Sequence, residues 1–245
     1  MMPREVKACG VRDPADVFML EALIDGADAV VDFVGVNLVP ASPRCVDAAT
    51  ARALVGACRS VVPVGVFADL DVDAVRAAAL EAGLGWVQLH GGESPEDVFA
   101  LSHGFTVIKA LTPAALQDLG LLAAYRDAGA RRFLFDGPRP GSGQRMAPPA
   151  VMLENGALLG VPCWLAGGLR PDNIVDALQR TPVLGADAAT GIETAGRFSP
   201  QRAIAFARAA RSVPSPTRAS IALIRSMGAN GMTQAQADDG FEETT

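Results

Sequence analysis

Two hydrophobic patterns alternate along most of this chain. Short apolar runs rich in Val, Leu, Phe and Ala have the length of buried strands, and between them lie stretches with apolar residues three and four positions apart, typical of amphipathic helices. Several of these stretches begin with Asp, Ser or Pro, which favour the first positions of a helix. Eight strands are predicted, at residues 5–9, 32–39, 62–68, 86–90, 106–111, 132–136, 162–166 and 183–189. Eight helices follow them, at residues 13–24, 47–58, 71–82, 94–102, 113–128, 148–160, 171–179 and 200–212.

This alternation predicts an α/β fold, a single (βα)8 TIM barrel over residues 1–212, whose active site would lie at the C-terminal ends of its strands. The strands are apolar along their whole length, as expected for a parallel sheet buried on both faces. A doubly wound open sheet is the alternative, but the glycine fingerprint that often follows its first strand is absent after Cys9. Pro214 and Pro216 end the pattern, so residues 213–245 are expected to form a short, polar, mobile C-terminal tail.

Composition excludes several classes of function. The 245 residues are 50% hydrophobic with a net charge of −6, whereas a groove for nucleic acid needs a basic surface. No run approaches the roughly 20 apolar residues of a membrane span, and residues 1–10 lack a signal core. The four cysteines have neither CxxC spacing nor His partners, which argues against a zinc site or a redox dithiol. We expect a cytoplasmic protein with reduced thiols, for which a small anionic substrate stays possible.

Two reactive side chains end predicted strands. Cys9 ends the first strand and Asp136 the sixth, each followed by Gly, so parallel strands would bring both to one pocket. A free Cys is more often a small buried hydrophobe, and an Asp at a strand end often caps a turn. As a base and an acid, the pair would need neither metal nor cofactor. Cys9 would then require nearby positive charge to ionise, and Lys7, two residues earlier on the same face, is a candidate.

Other strand ends carry residues suited to an anion. Arg44 follows the second strand, where a carboxylate or phosphate clamp competes with an ordinary solvated arginine. Gly167-Gly168 follows the seventh strand and Thr190-Gly191 the eighth, where barrels often bind phosphate, although glycines also serve plain turns. The glycine-rich segment 137–143 is expected to be a mobile loop over the site. Gln88 and His90 on the fourth strand could line the pocket, but a core histidine is at least as common.

Taken in order, these motifs resemble phosphoribosylanthranilate isomerase, the (βα)8 enzyme family of tryptophan biosynthesis. The resemblance covers residues 5 to 212. It rests on Lys7-Ala8-Cys9-Gly10, Ser42-Pro43-Arg44, Val87-Gln88-Leu89-His90-Gly91, Asp136-Gly137-Pro138 with Gly141-Ser142-Gly143, Leu165-Ala166-Gly167-Gly168-Leu169 and the segment from Asp187 to Glu193.

The resemblance implies an isomerase that performs an Amadori rearrangement of N-(5-phosphoribosyl)anthranilate to 1-(2-carboxyphenylamino)-1-deoxyribulose 5-phosphate. Asp136 would protonate the ring oxygen, and Cys9 would remove the proton from C2. The resemblance also implies substrate-binding roles for Arg44 toward the anthranilate carboxylate, for Asp187 toward the sugar hydroxyls, and for Lys7, Gly143, Gly167, Gly168, Thr190 and Gly191. The expected partner is a small phosphorylated substrate, with no metal, cofactor, nucleic acid or membrane, and the protein would be a monomer or homodimer.

Some positions depart from the family pattern, and two rivals remain. Cys45 stands where Tyr usually follows Ser-Pro-Arg, Ala189 replaces an expected serine, and residues 144–150 lack an expected aromatic segment. One rival is the related histidine-pathway aminoaldose isomerase, which by resemblance has Asp where this chain has Cys9. The other is a barrel that binds a phosphorylated ligand without catalysis.

Overall fold

The computed structural model describes residues 4–22, 24–25, 28–136 and 160–216. Eight parallel strands form one closed barrel, in which β1 pairs with both β2 and β8 and every other strand pairs with its neighbours in sequence. The strands are β1 Glu5–Cys9, β2 Phe33–Asn37, β3 Val62–Phe67, β4 Trp86–Leu89, β5 Thr106–Leu111, β6 Ala130–Phe135, β7 Cys163–Leu165 and β8 Gly185–Ala188. The TIM barrel expected from the sequence is therefore confirmed, with strand ends shifted by at most two residues.

Alternation along each strand divides the buried residues into two groups. Residues such as Val6 and Ala8 point outward into the large core between strands and helices. A second cluster fills the barrel interior with side chains from several strands, among them Phe33, Ile108 and Trp164. On β1 the inward series is Glu5, Lys7 and Cys9, because these positions differ by two residues. A single strand therefore carries three polar side chains up the barrel axis.

Seven α-helices surround the barrel within the described residues. They are α1 Pro14–Glu21, α2 Ala48–Ala57, α3 Val72–Ala82, α4 Pro95–Ser102, α5 Leu119–Asp127, α6 Ile174–Gln179 and α7 Pro200–Arg211. Side-chain N-caps start most of them; Ser94 and Asp97, for example, form a reciprocal capping box on α4. None of the described helices combines the length and the hydropathy needed to cross a bilayer.

The helix predictions differ from the structure in four places. The helix predicted at 13–24 ends at Glu21, and Ile24 lies instead in the short strand Ile24–Asp25, which pairs with Asp28–Ala29. The segment predicted at 113–128 is divided, because Asp118 ends a short 3-10 helix and its side chain caps α5. The helix predicted at 171–179 begins only at Ile174, after Asn173 has turned back to bond the preceding loop. The helix predicted at 148–160 stays a prediction, because residues 148–159 lie outside the described part of the chain.

Arg4 joins the two ends of the barrel chain. Its buried guanidinium donates to the carbonyl oxygens of Val183, Leu178 and Pro214, the last at 2.9 Å. The predicted tail therefore begins with residues that pack on the barrel, since Val213 and Ser215 are buried. The remainder of the predicted tail, residues 217–245, lies outside the described residues.

Candidate active site

A cavity of about 460 Å³ opens at the C-terminal ends of the strands, the end at which barrel active sites lie. Five strand or loop segments contribute titratable or charged side chains to it. The side chains are those of Cys9, Arg44, His90, Asp136 and Asp187. The structure therefore brings the two candidate catalytic residues to one cavity, together with the arginine that was the candidate carboxylate clamp.

Cys9 is buried at the base of this cavity. Its sulfur lies directly over Gly35 on β2, where a Cβ atom would come within 2.6 Å of Sγ. Burial raises the pKa of Cys9, and the carboxylate of Asp187 adds to the rise, whereas Lys7 and Arg44 lower it by less. Cys9 therefore rests as a thiol at neutral pH. Lys7 acts in the direction expected from the sequence, but burial outweighs its charge.

Lys7 is divided between two acidic groups. Its fully buried ammonium donates to Asp187 Oδ2 at 3.1 Å. Burial acts to lower the pKa of Lys7, but Asp187 and Cys9 outweigh this effect and hold the pKa above its ordinary value. Burial likewise raises the pKa of Asp187, against the opposing effects of Lys7 and His90. One ammonium thus faces two potential anions in a site that water scarcely reaches.

Asp187 presents its other oxygen without a partner. Asp187 Oδ1 is buried and accepts no hydrogen bond from any described residue. The side chain lines both the main cavity and a smaller one beside the glycine loops. Because a buried acceptor left unpaired costs about 1–3 kcal/mol, this atom marks a place where a donor from a bound molecule would be favoured.

Asp136 is held by a histidine that the sequence interpretation left without a role. Asp136 Oδ2 lies 3.1 Å from His90 Nε2, and His90 Nδ1 lies 2.7 Å from Gln88 Nε2. Gln88 lies on β4 and His90 directly follows the strand. Because the two residues are two positions apart, both side chains point into the barrel. That spacing was the available signal for a linked pair, but only the closed barrel brings β6 and its Asp136 alongside.

Arg44 is already held by side chains from the loop after β8. Its Nε and Nη2 donate to the two oxygens of Glu193 at 2.7 and 3.0 Å, and Nη2 also donates to Thr190 Oγ1 at 3.0 Å. Among the described residues, Nη1 has no hydrogen-bond partner. Gly10, in a left-handed conformation with φ +85°, packs against the arginine stem, where a Cβ would overlap it. Glu193 therefore fixes the orientation of the Arg44 side chain, a contact that a lone Glu after the eighth strand did not reveal.

The glycine loops after β7 and β8 form one concave surface. Gly167 and Gly168 both have positive φ, at +86° and +64°. Across from them, Thr190–Ile192 forms a 3-10 turn in which Gly191 packs so tightly against Leu169 O that a Cβ could not fit. Asn173 secures the first loop, because its amide donates to Gly168 O at 3.0 Å and accepts from Arg170 N at 2.8 Å. Such backbone arrangements suit a phosphate group.

The remaining predicted site residue, Gly143, lies outside the described residues, as does the loop 137–143 that carries it. Within residues 4–22, 24–25, 28–136 and 160–216, no group of three or more His, Cys, Asp or Glu side chains is arranged to hold a metal ion. The site as described consists of a thiol, a carboxyl group linked to histidine, an anchored arginine and a glycine-lined concave surface.

Comparison with known proteins gives one consistent result. A family model described as N-(5'phosphoribosyl)anthranilate (PRA) isomerase matches residues 6–208, from the first barrel strand into α7. The N-(5'-phosphoribosyl)anthranilate isomerase of Myxococcus xanthus is 37% identical over 219 residues, which cover 86% of this chain and 98% of the relative.

Solved structures agree with this match. Phosphoribosyl anthranilate isomerase from Thermus thermophilus has a TM-score of 0.71 and 32% identity, over 86% of this chain and 100% of that one. A second structure, phosphoribosyl anthranilate isomerase in complex with reduced 1-(o-carboxyphenylamino)-1-deoxyribulose 5-phosphate, has a TM-score of 0.70 and 25% identity with the same coverage.

Proposed function

Because the chain belongs to the N-(5'-phosphoribosyl)anthranilate isomerase family, we propose that its cavity catalyses the Amadori rearrangement of N-(5'-phosphoribosyl)anthranilate in tryptophan biosynthesis, with Asp136 as the acid and Cys9 as the base. The observation that carries the proposal is that both side chains line one cavity of about 460 Å³ at the catalytic end of the barrel. The same cavity contains an anchored arginine, and a glycine-lined surface adjoins it.

The first step is ring opening. Protonated Asp136 gives its proton to the ribose ring oxygen, the bond between C1 and that oxygen breaks, and the nitrogen lone pair forms a C1=N iminium. Asp136 is left as a carboxylate. General acid catalysis of this kind contributes about 10²–10⁴-fold.

The second step removes the proton from C2. Cys9, a thiol at rest, first loses its proton to water. Its thiolate then takes the C2 proton, the electron pair forms a C1=C2 bond, and the iminium nitrogen becomes neutral, giving an enolamine. The rearrangement is complete when C1 gains a proton and the hydroxyl on C2 loses one, so the overall reaction is an isomerisation. Lys7 supports this role of Cys9, because its ammonium lowers the thiol pKa against the effect of burial.

Substrate binding uses both ends of the cavity. Arg44 is the proposed clamp for the anthranilate carboxylate: Nη1 has no hydrogen-bond partner in the described part of the chain, and Glu193 fixes the orientation of the side chain. The phosphate would sit at Gly167, Gly168, Thr190 and Gly191, and Gly143 remains a proposed contact from the loop after β6. The unpaired Asp187 Oδ1 is the proposed acceptor for a sugar hydroxyl. Thr190 bonds to Arg44, so the phosphate loop and the carboxylate clamp are directly connected.

We also propose that the protein is a cytoplasmic enzyme and that it is a monomer or a homodimer. A structural neighbour from Thermotoga maritima, 24% identical to this chain, is described as generated monomers of a dimeric phosphoribosylanthranilate isomerase, so both states occur for that protein. Light scattering during size-exclusion chromatography would distinguish the two states for this protein.

The decisive experiment follows the loss of substrate fluorescence with purified protein. Cys9→Ser and Asp136→Asn are each expected to lower kcat by at least about 10³-fold, because each removes one proton-transfer group, while the melting temperature stays close to that of the unmodified protein. Cys58→Ser and Asp118→Asn serve as matched controls, since Cys58 ends α2 and Asp118 caps α5, both outside the cavity.

Each outcome of this experiment has a definite meaning. Full turnover in either site variant would remove that residue from its role. Inactive unmodified protein that still binds the substrate would favour the non-catalytic barrel. Turnover of the histidine-pathway aminoaldose in preference to the anthranilate substrate would favour the other rival.

A further inference from the structure

A continuous hydrogen-bonded chain connects the barrel interior to the proposed general acid. It runs from Gln88 through His90 to Asp136, with separations of 2.7 and 3.1 Å. The catalytic roles described above require only the last of these three residues. The side chains of His90 and Asp136 are mostly buried, with 20% and 11% of their surfaces exposed. A shielded chain of this kind fixes the proton positions on both partners of each hydrogen bond.

The donors and acceptors of this chain have one consistent direction. When the Gln88 amide nitrogen donates to His90 Nδ1, that ring nitrogen is unprotonated, and the neutral ring must carry its proton on Nε2. The Nε2–H group then donates to the Asp136 carboxylate. Gln88 Oε1 is left buried without a hydrogen-bond partner among the described residues. The arrangement therefore places an N–H donor at the Asp136 carboxyl group, where it can hold the carboxylate that remains after the acid has given up its proton.

His90 is attached to a rigid loop. Its backbone N–H donates to Phe67 O at 2.8 Å. The residues just after it are fixed by buried Lys109, which donates to Gly91 O at 2.7 Å and to Glu93 Oε2 at 2.9 Å. Glu93 in turn accepts from the backbone N–H groups of Asp69 and Gly91. The imidazole is thus held from its backbone as well as through Gln88.

Other charged side chains face the same cavity from the surrounding strands and loops. Cys9 and the pair Lys7–Asp187 face the cavity from β1 and β8, and Arg44 with Glu193 faces it from the loops after β2 and β8. Asp136 and Asp187 interact electrostatically, because the charge of Asp136 raises the pKa of Asp187. The His90 ring contacts the Asp136 carboxyl group directly, with Nε2 at 3.1 Å from Oδ2.

We propose that His90, oriented by Gln88, is a positioning residue for Asp136: it fixes the carboxyl group beside the ring oxygen and stabilises the carboxylate that proton transfer leaves behind. The inference rests on the proposed role of Asp136 as general acid. His90 acts through Asp136 and transfers no proton to the substrate itself.

The kinetic test compares two substitutions at one position. His90→Leu removes the donor and should lower kcat about 10–100-fold with little change in KM. His90→Gln restores an amide donor near the position of Nε2 and should return most of the lost kcat. An unchanged kcat in His90→Leu, or no recovery of kcat in His90→Gln, would overturn the proposal.

A second test reads the tautomer directly. The chain contains two histidines, His90 and His103, so ¹⁵N-histidine NMR gives two ring systems to assign. His103 Nδ1 lies 2.8 Å from Phe99 O, a carbonyl that can only accept, so its neutral ring must be the Nδ1–H form. His90 should show the opposite, Nε2–H form, and Gln88→Met should weaken that preference and lower kcat by less than His90→Leu does. An Nδ1–H form of His90 would overturn the proposal.

Failure of this inference can be told apart from failure of the proposed function. If Asp136→Asn is inactive but His90→Leu is fully active, only the positioning role is rejected. If Asp136→Asn retains full activity, the acid has been wrongly assigned and the positioning role is rejected with it.

Discussion

The two ends of the barrel use similar side chains to opposite effect. At the N-terminal end, Glu5 accepts from Arg132 at 2.6 and 3.0 Å and from the Trp164 indole at 2.7 Å. The Arg132 guanidinium also lies over the rings of Phe33, Trp86 and Trp164. At the C-terminal end, Asp187 Oδ1 and Gln88 Oε1 are buried with no partner among the described residues. Inside the barrel, the charged cluster at the N-terminal end is satisfied by its own members, whereas the two acceptors at the C-terminal end are not. Outside the barrel interior, Arg211 Nε and Ser215 Oγ are also buried without a partner among the described residues.

This difference separates stability from function within one fold. The charged cluster inside the N-terminal end is compatible with a stable fold, because Glu5, Arg132 and the Trp164 indole satisfy one another and loss of one member would leave another buried and unpaired. Buried acceptors without a partner at the C-terminal end destabilise the folded state, and a bound ligand that donates hydrogen bonds to them would remove this penalty. Strand β1 serves both ends, with Glu5 at one, Cys9 at the other and Lys7 between them. The comparison predicts that substitutions at the two ends will affect different measurements.

The largest effect on stability is expected at Glu5. Glu5→Gln leaves Arg132 charged and partly buried without its carboxylate, so the free energy of unfolding should fall by about 2–3 kcal/mol. Urea denaturation would measure this change, and kcat of the folded protein should be unaltered. Arg180→Gln breaks an exposed pair with Asp176 and should change stability by less than about 1 kcal/mol. A Glu5 variant with normal stability but impaired kcat would break the division between the two ends.

A smaller effect is expected for Glu193, at the cavity end. Glu193→Gln keeps the shape but loses the charged bidentate contact, so Arg44 becomes free to adopt other rotamers. We expect KM for the anthranilate substrate to rise about tenfold, with kcat and the melting temperature little changed. Steady-state kinetics beside thermal denaturation would test this expectation. A large loss of stability without a change in KM would show that Glu193 serves the fold rather than the clamp.

The smallest effect concerns the competition for Lys7. Asp187→Asn removes a negative charge that raises the Cys9 pKa, so the thiol should ionise at lower pH. At pH 7.5 the alkylation of Cys9 by iodoacetamide should become about three- to tenfold faster, because the thiolate is the reactive form. Peptide mapping would separate Cys9 from half-buried Cys45, whose rate should not change. Unchanged or slower alkylation of Cys9 would mean that Asp187 does not compete with it for Lys7.

Much of the fold could be predicted from the sequence because its signals are local. Apolar runs and capping residues gave all eight strands within two residues of their observed ends, since burial on both faces of a parallel sheet demands such runs. Two of the differences arise where a polar side chain forms a local hydrogen bond that competes with helix formation. Asp118 ends the 3-10 turn and caps α5, and the Asn173 side chain donates to Gly168 O.

The candidate site was predictable only in part, because its contacts join distant segments. Cys9, Arg44 and Asp136 were identifiable from reactive or charged side chains at strand ends. The link from His90 to Asp136 spans 46 residues and that from Arg44 to Glu193 spans 149, so no local pattern carries either. Glu5 and Arg132 gave a faint signal, as charged residues at inward positions of apolar strands, but their pairing needs the closed barrel.

The sequence by itself determined the order of strands and helices, the family resemblance and which reactive side chains end which strands. These features depend on residue type and short-range spacing, both of which can be read directly from the sequence. The tertiary structure alone decided that Lys7 is shared between Cys9 and Asp187, that burial keeps Cys9 a thiol at rest, and that His90 contacts Asp136. Those properties depend on distance and desolvation, and both come into being only when the barrel closes.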